Sequence, residues 1–240
     1  MPIWRGSTIT PANDPQIHVK YSSLTLDANR KTQVGEAVQR ARYMLAWVLA
    51  NMQSPAALSD VGKMGLHCYF MTPANGPTQG DFDTIKSVLE LTQAGLTSVG
   101  GVAVKISSGS PGYVNVHVRG TSSLRAKLLG APLATTMFAK SGWTPGTKKD
   151  FGDVHRGSIH VSTGRLDTGT RLAAKTVIHE ATHKFASTAD FGEKGYTYDA
   201  TGEYRTPNGE TPLTAAEALN NAESYARFVL EWFDAEVGWA

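Results

Sequence analysis

Residues 175–200, KTVIHEATHKFASTADFGEKGYTYDA, hold the tightest constraint in the chain: His179 and His183 lie four residues apart, with Glu180 directly after the first. Ala174, Val177, Ile178, Ala181 and Phe185 recur at three- and four-residue spacing, which predicts a helix from about Thr170 to Phe185 with that stripe on the core. Both histidines fall off the stripe, on the flank of Leu172 and Thr176. Side chains four apart on a helix stand above one another, so two imidazole nitrogens can meet one ion at about 2 Å. Glu180 is turned by about 100° from His179, which lets it reach a water beside such an ion without ligating it. A fold built on this helix must cover one side of it and bring a further ligand to the other.

Two histidines do not complete a zinc site, and the candidates for the third ligand are few. The extended form H-E-x-x-H-x-x-G-x-x-H is excluded, because Ala186 and Ala189 stand at its glycine and third histidine. Glu217 and Glu223 offer carboxylates from a later helix, although Glu217 is better explained as a helix cap. Asp190, seven residues beyond His183, can fold back if the chain turns within ASTAD.

The rest of the chain predicts an α+β domain, mostly helical with a small sheet. Residues 1 to about 30, with extended runs such as QIHVKYSSLTL, read as an arm or an early strand. Val34, Ala37, Val38, Ala41, Met44, Leu45, Val48 and Leu49 mark one face of an amphipathic helix that ends at Ser54–Pro55. Asp81 can cap a second helix running to about Thr92. GGVAVKIS, GYVNVHVRG and GSIHVSTG read as strands. In the last, Ile159 and Val161 face one way, with Ser158, His160 and Ser162 on a polar face. Thr214 and Glu217 have the spacing of a capping box, opening a final helix with the stripe Ala218, Ala222, Tyr225, Ala226, Val229 and Phe233. No Pro/Ser linker divides the chain, so residues 1–240 are expected to form a single domain.

Several classes are disfavoured. A net charge of +2, with lysines and arginines scattered, gives no basic stripe for nucleic acid. Cys68 is the single cysteine, so no internal disulfide and no cysteine-rich metal knuckle can form; it is expected as a small buried hydrophobe. The N-terminus lacks the basic-then-apolar order of a signal peptide, and YMLAWVLA is far shorter than the roughly 20 residues of a membrane span. The expected location is the cytoplasm, or the exterior by a leaderless route.

HEATH followed by STAD, GYTYDA and EALNNAESYARF resembles the deuterolysin-type aspzincin metallopeptidases, including their lysine-specific branch, over roughly residues 155–233. Residues 1–110 carry no recognised motif. The resemblance implies a zincin-like domain with one zinc ion held by His179, His183 and Asp190, and with Glu180 as general base. Thr188 precedes Asp190 as in the family's T-x-D. Glu193 stands where the family has a tyrosine, so Tyr196 is the implied stabiliser of the transition state, with Tyr198 as its rival; Ser187 replaces the family's leading glycine. Glu223 matches the acid that receives a substrate ammonium in the lysine-specific branch, whereas the second acid expected three residues later is Ala226. GSIHVS is expected as the edge strand that pairs with an extended substrate, with His160 on its polar side toward the substrate.

The implied function is a zinc endopeptidase acting on proteins or peptides. Two rivals are a leaderless effector peptidase with one narrow protein target and a zinc hydrolase of a cell-wall amide. A binding module with a degenerate site is disfavoured by the complete His–Glu–His set. Oligomeric state is left open by the sequence.

Overall fold

A computed structural model describes residues 16–21, 28–107, 112–114, 158–191, 194–195 and 213–238. The apolar periodicity of residues 34–48 produces helix α1 (Ala28–Asn51), which buries Val34, Ala37, Val38, Ala41, Met44, Leu45 and Val48. A 3-10 turn, Pro55–Ala57, follows under the Ser54 cap. Helix α2 (Asp60–Phe70) buries Gly62, Leu66, Tyr69 and Phe70 along one face. It meets its neighbour partly through glycines: a Cβ at Gly62 would stand 2.7 Å from Trp232, and one at Gly65 would stand 3.1 Å from Phe228. Close backbone approach at these glycines adds to the burial of Leu66, Tyr69 and Phe70.

Helix α3 (Gln79–Leu96) runs beyond the expected Thr92. Its cap is Thr78, whose hydroxyl accepts from the Asp81 N–H, and Asp81 lies inside the first turn, where a negative charge favours the helix dipole. Cys68 of α2 is partly buried against the core, and burial raises the pKa of its thiol.

Strands β1 (Ile17–Tyr21), β2 (Val102–Ser107), β3 (Gly112–Val114) and β4 (Ile159–Ser162) form one sheet in the order β1-β2-β4-β3. β1, β2 and β4 are parallel, with Val19 opposite Val104 and Val104 opposite Ile159; β3 runs antiparallel to β4. All four β4 residues are buried, as expected of parallel strands covered on both faces. The supposed polar face of GSIHVS is therefore not a solvent face. Ser162, at the end of β4, accepts from the Arg165 N–H and starts the short helix α4 (Thr163–Asp167).

Helix α5 (Thr170–Ala186) carries the histidines. The expected final helix is two helices. The Thr214–Glu217 capping box is present but opens only α6 (Ala215–Ala218), and the longer α7 (Ala222–Glu236) starts afresh at Asn221. Between them the chain leaves the helical path so that Asn221 can pair with Ala189. Glu217 also pairs with Lys194 at 2.6 Å.

One apolar cluster extends from Ile17 to Phe233, with α1, α3 and α7 packed around α5. Edge-to-face pairs of Trp47 with Trp232 and Phe233, and of Phe70 with Tyr225 and Phe228, weld α1 and α2 to α7. The architecture is α+β, mostly helical with a small sheet. Among the described residues, no helix is long and apolar enough to cross a membrane.

Candidate metal centre

Helix α5 is buried on far more than its predicted stripe. Ala173, Ala174, Val177, Ile178 and Ala181 meet the apolar core, while Thr176, His179, Glu180, Thr182 and His183 are buried on the remaining faces. Alanines let the neighbouring elements approach closely, and they bring the polar partners that these side chains require.

The first partner comes from the end of the helix. Ser187 takes a left-handed conformation, φ 57° and ψ 35°, which is the backbone that a glycine favours at a helix C-terminus. The Thr188 N–H donates back to the Thr182 carbonyl, and the Thr188 hydroxyl donates to that of Thr182 at 2.8 Å. The next residues are clamped to the start of α7: Ala189 N–H donates to the Asn220 carbonyl at 2.8 Å and Ala222 N–H to the Ala189 carbonyl at 3.0 Å. Asp190 is thereby returned to the histidine flank.

The result is a compact triangle. Nε2 of His179 and Nε2 of His183 are 3.1 Å apart, and Oδ1 of Asp190 is 3.3 Å from each. Ligands at about 2.0–2.1 Å from a tetrahedral ion stand about 3.3–3.4 Å from one another, so the spacing of these three atoms fits a zinc-sized centre. Two nitrogens and one carboxylate oxygen are also a donor set that zinc accepts. The Asp190 side chain is 45% exposed while both histidines are buried, which leaves the triangle open on the aspartate side.

Each imidazole is held from behind. His183 Nδ1 donates to the Thr188 carbonyl at 2.9 Å, and His179 Nδ1 donates to Glu223 Oε2 at 3.1 Å. These bonds turn both Nε2 atoms into the triangle. Burial works against a charge on His179, but hydrogen bonds to Asp190 and Glu223 outweigh it and raise its pKa to about 10. Burial likewise opposes the Asp190 carboxylate, and its bonds to both histidines overcome that and hold it far below the ordinary range. The pocket strongly attracts a cation, and a bound divalent ion would displace the proton.

Glu180 Oε1 lies 3.9 Å from His179 Nε2, beside the triangle and outside ligand geometry. Burial raises its pKa, partly offset by the two histidines. Strand β3 covers it: a Cβ on Gly112 would stand 2.5 Å from Thr176 Cγ2 and 2.7 Å from Glu180 Oε1. Only a residue without a side chain lets β3 lie so close to that carboxylate.

Of the predicted site residues, His179, Glu180, His183 and Asp190 come together. Tyr196 and Tyr198 lie outside the described residues, although Asn221 Nδ2 donates to the carbonyl of Gly195, directly before Tyr196. His160 does not stand on an edge. β4 is paired on both sides, by β2 and β3, so it offers no free backbone to a substrate, and His160 is 1% exposed. Burial, helped by Lys105, lowers its pKa to about 4. The outermost strand on this side, among the described residues, is β3. As a rival third ligand, Glu223 is on the wrong side of the His179 ring, at Nδ1. Glu217 is spent on its cap and on Lys194.

Sequence reasoning missed Lys175, Gly112 and the Thr188 carbonyl. Lys175 pairs with Glu223 from one turn before His179, and nothing in a one-dimensional pattern joins a lysine to an acid 48 residues away.

No family model matches the sequence, and no curated protein matches it. Among solved structures, the chain is similar to a zinc peptidase from Grifola frondosa, with a TM-score of 0.53 over 88% of this chain and 99% of that one, at 11% sequence identity. The likeness is one of fold.

Proposed function

We propose that the protein is a zinc-dependent endopeptidase of aspzincin type, with one zinc ion held by His179, His183 and Asp190. The observation that carries this reading is the triangle of two Nε2 atoms and one Oδ1 with sides of 3.1–3.3 Å, flanked by the Glu180 carboxylate. The likeness in fold to a zinc peptidase supports it. Since α1 and β1 share the core cluster with α5, residues 1–240 are read as a single catalytic domain.

Bound zinc would polarise the scissile carbonyl and lower the pKa of a water toward 7. Glu180 takes the proton of the attacking water on its carboxylate and passes it to the leaving amine. Its place beside the triangle and outside ligand geometry suits that shuttle. Tyr196 donates a hydrogen bond to the developing oxyanion, a role that rests on the resemblance in GYTYDA. The extended substrate would pair along β3, the outermost strand on this side among the described residues.

The test is metal analysis of the purified full chain together with digestion of a peptide library. One zinc per chain and cleavage of many peptides are expected. A protein that takes up no zinc would overturn the reading. Zinc uptake with cleavage of a single protein target would favour the effector peptidase, and cleavage of cell-wall amides alone would favour the amide hydrolase.

A further inference from the structure

Glu223 stands behind the candidate metal centre and not in it. Its Oε2 accepts from His179 Nδ1 at 3.1 Å, and its Oε1 accepts from both the Lys175 ammonium and Arg227 Nε, the latter at 3.2 Å. Lys175 lies one turn before His179 on α5, and Arg227 lies one turn after Glu223 on α7. The Glu223 side chain is 4% exposed and that of Lys175 is 14% exposed. Both carboxylate oxygens are therefore engaged within the protein, away from the open side of the triangle at Asp190. Burial lowers the pKa of Lys175, and Glu223 partly restores it.

A carboxylate that accepts from the outer nitrogen of a metal-bound imidazole fixes the ring, fixes its tautomer and makes the inner nitrogen a stronger ligand. A lone buried carboxylate would itself be costly, and the two cations on Oε1 supply the compensation. An acid arranged to receive a substrate ammonium needs an oxygen open to the cleft, and Glu223 has none.

We infer that Glu223 is a positioning residue for His179, acting on zinc affinity through that ring, and that Lys175 and Arg227 fill with the protein's own cations the oxygen that would otherwise receive a substrate lysine. The inference rests on the zinc-peptidase reading. It follows that Glu223 itself imposes no requirement for lysine beside the scissile bond.

The experiment measures the zinc dissociation constant of the full chain by competition with a chromophoric chelator, beside thermal unfolding of the metal-free protein. Glu223→Gln is expected to raise that constant by about 10- to 100-fold, the usual consequence of losing such a partner. Lys175→Met, which leaves Arg227 on the carboxylate, is expected to raise it much less. If Glu223→Gln leaves an unpaired ammonium and does not fold, the Lys175→Met/Glu223→Gln double variant removes both charges and is expected to show the same 10- to 100-fold loss. A purely structural role would lower the unfolding temperature and leave the zinc affinity of the folded protein unchanged, and that result overturns the inference. So would a lysine preference in the parent's cleavage profile that disappears in Glu223→Gln at unchanged zinc affinity. Failure of the parent itself to bind zinc would overturn the underlying reading, and is told apart because it needs no variant.

Discussion

Helices α1 and α5 pack side by side in one core, and they bury different chemistry. α1 buries valine, alanine, methionine and leucine along one face and leaves the other to solvent, so area removed from water drives its packing. α5 is buried almost all round, and five of its buried side chains are threonine, histidine or glutamate. Both histidines are tolerated because partners from other segments meet them, Glu223 from α7 and Asp190 and the Thr188 carbonyl from the turn after the helix, while Thr176 and Thr182 donate to carbonyls of α5 itself. A core helix can thus be specified by apolar area or by completed polar pairs. The two respond differently to substitution: the first loses stability, the second loses function.

The largest expected effect breaks the polar helix without unfolding it. Glu180→Gln keeps size and shape, so zinc content and unfolding temperature should stay near those of the parent while the cleavage rate falls about 10²- to 10⁴-fold. Steady-state kinetics with a library-derived peptide measure this, and an undiminished rate would remove Glu180 from the mechanism.

Leu45→Ala on α1 is the counterpart. Leu45 is fully buried, and the cavity should lower stability by about 2–5 kcal/mol in chemical denaturation. The zinc affinity of the remaining folded protein should not change. A loss of affinity without a loss of stability would break the contrast between the helices.

His160 extends the contrast to the sheet. Its folded pKa of about 4 lies below the ordinary 6.5, so below pH 6.5 the unfolded chain binds a proton that the folded chain refuses. The stability this contributes is complete above pH 6.5 and is lost as the pH falls from there toward 4, by about 3 kcal/mol. Denaturation of the metal-free protein at several pH values should show His160→Gln with a flatter acid limb than the parent. Equal slopes would mean that His160 does not titrate in that window.

Gly112→Ala probes the seam between β3 and α5. The new methyl must displace Thr176 or Glu180, and the more flexible Glu180 should move, lowering the rate about tenfold, as small displacements of reacting groups do. Unchanged kinetics would show that β3 yields instead.

The smallest effect is at Ser187. A left-handed serine is strained, so Ser187→Gly should stabilise the protein by about 0.5 kcal/mol, once the greater freedom of glycine in the unfolded chain is deducted. A destabilised variant would show that the serine side chain does more at this turn than its backbone strain costs.

Elements with strong local signals were legible in the residues alone. The stripes of α1 and α5 and the Thr214–Glu217 capping box arise from contacts within a few residues, and such contacts leave a period or a spacing to read. So do His179, Glu180 and His183, whose relation is fixed by a single helical turn. The closeness of Asp190 was legible only as one of three options, because it depends on a left-handed residue and on a bridge to Asn221. Tertiary structure alone decided the rest. The break between α6 and α7 serves that same bridge. β4 was misread as an edge because strand order is set by which neighbours pair, not by the residues of the strand. Glu223 became a buried partner of His179 and Lys175 because the two helices that carry them, with Lys175 and Glu223 48 residues apart in the chain, share one core. Local periodicity records what a segment needs buried; only the packed chain decides what comes to meet it.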